Sequence, residues 1–289
     1  MTARLATHPE VASRTPQVRA RLVASGVDVE LVGDEASGRD GPASSVADPL
    51  KALREGTIDL AVVGIRALRD SAAEDLTTVA VLPREDVRDV LVGLSGRAIP
   101  LHDLPAGARV GLAGARRRAL LLAHRPDLEP APLPELPAGG GYEGVLDDGL
   151  RAVILSAHEA RRAGLVGPTA EALDPKAWLP EPGQGAVALV ARHPIAEATA
   201  LDHLPTRTAL RAELALLEAL QVEADAPVGC LAQTSGRMIR LWAAAVAPDG
   251  RRLVRSDRTG PLDEPQALGG TVARELEERG YRLLMPAAL

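Results

Sequence analysis

The residues best suited to chemistry in this chain are arginines. Gly111 to Arg118 runs from a strand end through small residues into a helix that starts near Ala115. Free backbone N–H groups there, with the charges of Arg116 and Arg117, would converge on an anion. The same stretch also reads as a tight strand–helix turn carrying solvated arginines. Arg66 follows a buried apolar strand, where the loops of such sheets face a ligand crevice; its plainer role is an ion pair with Asp70. Arg4 lies in the first strand. Arginine keeps its proton at working pH, so it binds anions but is a poor general base. Lys51 and Lys176 are the only lysines open to amine chemistry. Cys230 is the only cysteine, which excludes an intrachain disulfide and a cysteine zinc cluster. It reads either as a small buried hydrophobe or as a reactive thiol. His8, His102, His124, His158, His193 and His203 are scattered and form no metal-binding motif, so no metal is expected.

The elements that must position these groups alternate. Ala3–Thr7, Val27–Val32 and Asp59–Val63 read as strands, with helices over Thr15–Ser25 and Asp48–Glu55 and a loop over Gly33–Ser45. Such a βαβαβ rhythm predicts a mostly parallel sheet covered by helices. A second set follows: strands at Val87–Leu94, Arg109–Leu112 and Ala152–Leu155, helices at Arg116–His124 and Ala157–Ala163. Pro126–Gly141, rich in proline and glycine, reads as a loop. Pro-rich Asp174–Gly185 leads to a strand at Ala186–Ala191. The last third changes to α+β: a helix over Thr206–Leu220 with Leu210, Leu214, Leu217 and Leu220 on one face, strands at Val228–Leu231, Met238–Val246 and Arg252–Ser256, and a closing helix from Pro265 to Arg279.

With 289 residues, 46% of them apolar, the chain can bury several cores. It has no Phe, two Trp and two Tyr, so few rings are available to stack nucleic-acid bases. A net charge of −6 favours neither nucleic acid nor an anionic membrane. No apolar run approaches the roughly 18 residues of a membrane helix, and the N-terminus lacks a signal-peptide core. A cytoplasmic monomer is expected.

Six segments, in order, resemble the hydroxymethylbilane synthase (porphobilinogen deaminase) family: Arg4-Leu-Ala-Thr, Asp59-Leu-Ala-Val, Pro83-Arg-Glu-Asp-Val-Arg-Asp89, Val110 to Arg117, Leu179 to Gly185, and Ala226-Pro-Val-Gly229 followed by Ala247-Pro-Asp-Gly250. The resemblance implies two α/β domains of the periplasmic-binding-protein kind joined by a double crossover hinge, plus a small C-terminal α+β domain. The expected bounds are 1–84 with 178–200, 85–177, and 205–289. It also implies condensation of four porphobilinogen molecules on a dipyrromethane cofactor held by a cysteine.

The chain departs from that pattern where the reactive groups belong. The family's His-Ser-x-Lys-Asp loop is Val63-Gly64-Ile65-Arg66-Ala67 here, so the carboxylate that stabilises a developing cation is missing. The cofactor cysteine falls at Ala224, so no cofactor is expected. The family's Arg-Gly-Asn-x-x-x-Arg segment gives way to Glu135–Gly141. Arg4, Arg116 and Arg117 match, and Arg66 replaces the loop lysine. The reading is a divergent relative, non-catalytic or repurposed, that binds a small anionic carboxylate or pyrrole between its first two domains through Arg4, Arg66, Arg116 and Arg117. The alternative is an active hydroxymethylbilane synthase with Cys230 as a relocated anchor and Asp70 as its carboxylate. A different enzyme on the same scaffold and a protein-interaction role through the third domain or Pro126–Gly141 are further readings.

Overall fold

Thr2–Thr7 (β1) starts a five-stranded sheet that also holds Asp28–Leu31 (β2), Leu60–Gly64 (β3), Thr77–Val81 (β4) and Val187–Ala191 (β10), in the order β2-β1-β3-β10-β4. The computed structural model describes residues 2–33, 45–71, 73–94, 98–133, 149–165, 167, 170–222 and 225–284. β2, β1 and β3 run parallel, β10 runs against β3, and β4 runs against β10. One strand of five is therefore reversed, and the mostly parallel expectation holds. Thr15–Ala24 (α1) begins with Pro16 in its first turn, where a missing N–H costs nothing. Pro49–Arg54 (α2) is capped by Asp48, whose Oδ1 accepts the Lys51 N–H at 2.9 Å. Leu5, Leu22, Leu60, Val62 and Leu189 fill the core beneath them. These elements form one unit, drawn from residues within 1–85 and 184–207.

A second sheet repeats the plan. Asp89–Gly93 (β5), Arg109–Leu112 (β6), Glu129–Pro132 (β7), Leu150–Ser156 (β8) and Ala170–Ala172 (β9) lie in the order β7-β6-β8-β5-β9. β7, β6 and β8 are parallel, and β5 is reversed against both β8 and β9. In each sheet the reversed strand is the one that follows a crossing segment: residues 82–88 lead into β5 and residues 173–186 into β10. Pro126–Gly141, expected as a loop, contains strand β7. Its prolines Pro130 and Pro132 are tolerated because β7 is an edge, where a proline lacking its N–H need not break a ladder. Glu129 N–H and Leu133 N–H still donate to Ala108 and Leu112 carbonyls at 3.0 and 3.1 Å. Residues 34–44, most of the Gly33–Ser45 loop, and residues 134–141, which include Glu135–Gly141, lie outside the described residues.

Val228–Ser235 (β11), Met238–Val246 (β12) and Leu253–Pro261 (β13) form an antiparallel sheet. Alternate residues Ile239, Leu241, Ala243 and Ala245 turn one face of β12 to a core shared with Leu204–Leu220 (α6) and Pro265–Glu278 (α7). Of the leucine stripe expected on α6, Leu210 and Leu220 are buried and Leu214 and Leu217 half-buried; Ala209, Ala212, Glu213 and Leu216 are buried beside them. The second and third sheets belong to the other unit, drawn from residues within 86–183 and 208–289.

Candidate functional site

β6 ends at Leu112, Gly114 takes φ +85, and Ala115–His124 (α4) starts with no side-chain cap. That turn sends Arg116 and Arg117 inward. Both side chains are 9% exposed and meet Asp89, the first residue of β5, which has no exposed side-chain surface. Arg116 Nη2 donates to Asp89 Oδ2 at 2.8 Å, and its Nη1 donates to the Leu179 carbonyl at 2.8 Å. Arg117 Nη2 donates to Asp89 Oδ1 at 3.1 Å and to Glu159 Oε2 at 2.9 Å. The Trp178 indole N–H also donates to Asp89 Oδ2, at 3.0 Å. The two arginines expected to hold an anion are thus gathered around carboxylates supplied by the chain itself.

Glu159 belongs to Ala157–Arg162 (α5), which carries a capping box. Ser156 Oγ accepts the Glu159 N–H at 3.1 Å, and Glu159 Oε2 accepts the Ser156 N–H at 2.7 Å. Register sets the rest, because Asp89 pairs with Ser156 across β5 and β8. Burial opposes the charge on Asp89, yet Arg116 and Arg117 outweigh it and hold its carboxyl well below the usual range. Glu159 is likewise lowered, burial being outweighed by Arg117 and Ser156. Arg117 moves the other way, burial being outweighed by its two carboxylate partners. One donor is left over: Arg117 Nε is buried with no hydrogen-bond partner among the described residues.

The other predicted arginines belong to the unit of the first sheet. Arg4 closes on Asp59 with Nε to Oδ2 at 3.0 Å and Nη2 to Oδ1 at 2.9 Å, and it also donates to the Gly56 carbonyl at 2.8 Å. Asp59 precedes β3, so this clamp sits at the amino end of the parallel strands. Ligands of such sheets gather at the carboxyl end, where His8 and Gly64 lie. Arg66 is on Ile65–Asp70 (α3), a helix where a loop was expected. Its side chain is 70% exposed, with Nε 3.5 Å from Asp70 Oδ2. Asp70 is also 3.6 Å from Arg69 Nε, so both basic neighbours on this helix face it. Glu85 Oε1 lies 3.3 Å from Arg14 Nε, and the Asp86 carboxylate accepts from Arg88 Nε and Nη2.

Cys230 is 0% exposed on β11, within the core that β11 and β12 share with α6 and α7. Cys230 is thus sealed in the third sheet's core, and Asp70 is on α3. Ala224 lies outside the described residues. No group of three or more His, Cys, Asp or Glu among the described residues could hold a metal, and no helix among them is long and apolar enough to cross a membrane. Sequence reasoning missed Asp89 as the hub, Glu159, Trp178 and the buried Glu213. Asp89 carried a signal, since an acidic residue opening a fully apolar strand must find a cation.

Residues 46–200 match the family model described as porphobilinogen deaminase, dipyromethane cofactor binding domain, and residues 208–278 match the model of its C-terminal domain. Porphobilinogen deaminase of Nocardia farcinica is 37% identical over 298 residues, covering 93% of this chain and 83% of the relative. That of Thermobifida fusca is 36% identical, covering 79% and 75%. Porphobilinogen deaminase 1 of Streptomyces coelicolor is 36% identical, covering 97% and 93%. Among solved structures, the methionine binding protein MetQ aligns with 69% of this chain and 88% of its own, at 14% identity and a TM-score of 0.45. The first family model corrects the expectation that no cofactor is carried. That expectation rested on Ala224 alone, whereas the match spans the part of the chain that would hold the group, a property separate from its point of attachment. Arg117, with an unpartnered Nε, fits the carboxylates of a dipyrromethane; buried Cys230 does not fit its thioether. By these matches over most of its length, the chain belongs to the porphobilinogen deaminase family.

Proposed function

We propose that this chain takes porphobilinogen as its substrate and acts as a transferase of tetrapyrrole assembly. The observation that carries the reading is the coincidence of the family match over 46–200 with the Arg116–Asp89–Arg117 cluster inside it. The proposed role of these residues is to present guanidinium edges to pyrrole carboxylates, with Asp89 and Trp178 holding the edges in place. The proposed domains are 1–84 with 178–200, 85–177 and 205–289. The test is incubation of the purified full chain with porphobilinogen, reading ammonia release and a linear tetrapyrrole, together with intact mass for a covalent pyrrole adduct. Formation of the tetrapyrrole supports the reading; unchanged porphobilinogen defeats it.

A second reading has its own observation. Ala67 stands where the resemblance places a carboxylate, and the nearest on the same helix, Asp70, already faces Arg66 and Arg69. A site without that charge binds the pyrrole but does not stabilise the cation that polymerisation requires. Saturable binding of porphobilinogen without ammonia release distinguishes this reading from the first.

A further inference from the structure

The edge of Arg117 formed by Nε and Nη2 is half used. In Arg4, Arg54, Arg88 and Arg125 the same edge grips one carboxylate with both nitrogens, at 2.7–3.0 Å. In Arg117 Nη2 serves Asp89 and Glu159 together, and Nε is left buried without a partner among the described residues. Glu159 is also the outer partner of the pair: its side chain is 35% exposed, while that of Asp89 has no exposed surface. Only Oε2 of Glu159 is used, shared between Arg117 and the Ser156 N–H. Among Arg116, Arg117, Asp89 and Glu159 the formal charges cancel, so little net attraction remains for an anion.

We propose that Glu159 is a resident competitor that sets the site's selectivity, occupying the Arg117 edge that an incoming ligand carboxylate must take. A planar carboxylate that displaces it meets Nη2 and the adjoining Nε together, the bidentate geometry that guanidinium favours. Glu159 thereby excludes weak anions and admits those whose other contacts outweigh it. The inference deepens the porphobilinogen reading and rests on it.

The test is calorimetric titration of the full chain with porphobilinogen and, separately, with succinate. Glu159→Gln is the central variant, because glutamine also serves in a capping box and keeps α5 started. It should bind porphobilinogen about tenfold more tightly than the wild type, as expected of one freed charge-assisted contact. Arg117→Lys added to Glu159→Gln should abolish the gain. Glu159→Ala, with Ser156 still capping, should tighten binding in the same direction if the glutamine variant unfolds. Wild-type binding with no gain in either Glu159 variant overturns the competitor role and leaves the porphobilinogen reading standing. Absence of porphobilinogen binding in every form overturns both.

Discussion

Asp89 shows how one carboxylate can organise a site. It takes three donors from Arg116, Arg117 and Trp178 with no side-chain exposure, so its charge is compensated in the absence of water. Removing one partner from such a buried arrangement leaves the others charged and unmatched. Asp89→Asn is therefore expected to lower the unfolding free energy by about 3–5 kcal/mol, read as a lower urea midpoint at unchanged slope. The pH dependence has a definite sign. The folded-state pKa of Asp89 is depressed, so its stabilisation is present above the unfolded value of about 3.9 and is lost as pH falls toward the folded one. Urea midpoints should hold near neutrality, drop below about pH 4, and drop less steeply in Asp89→Asn. Cys230 makes a prediction of its own. A thiol with 0% exposure should resist an aromatic disulfide reagent in the native protein and react fully in denaturant. Rapid native labelling would contradict its place in the core.

At the scale of elements, the tightest joints are held by groups with no room to change. Glu213 is fully buried on α6, where its two oxygens accept the N–H groups of Gly183 and Ala232, each at 2.8 Å. It thus ties a helix, the end of a crossing segment and β11. Glu213→Ala leaves two buried donors unsatisfied and should cost about 2–6 kcal/mol, since each unmade bond costs about 1–3 kcal/mol. Gly269 on α7 lies against α6; an added methyl would lie 2.6 Å from the Ala212 carbonyl oxygen and 2.9 Å from Leu216 N. Both are backbone atoms, so the helices would have to part. Gly269→Ala is expected to destabilise by about 1–3 kcal/mol, checked by thermal unfolding. Most elements were legible in periodicity and turn residues: Arg109–Leu112 and Met238–Val246 come out with the expected bounds. β7 was not legible because its prolines speak against a strand until neighbours show that it lies at an edge. β9 escaped because three residues are too few to show an alternation.

Across the whole molecule, two sheets share one plan, with the reversed strand fourth in each order. The third is an antiparallel sheet backed by two helices. The net charge of −6 and the scarcity of rings belong to this scale as well. Fluorescence anisotropy of a labelled DNA duplex at physiological salt should not change when the protein is added. An increase that disappears at higher salt would reveal a basic surface that the total charge conceals.

The amino-acid order alone determined the family, most elements and the identity of the basic pair, because these rest on local pattern and on motifs that survive in one dimension. It also determined that sulfur is scarce and that residue 67 is alanine. What Arg116 and Arg117 touch was decided only by tertiary structure. Asp89, Glu159 and Leu179 lie 27 to 63 residues from them along the chain and meet them through strand register and a buried turn. The burial of Cys230 was likewise decided there, since the same thiol in the same sequence is inert or reactive according to what packs around it.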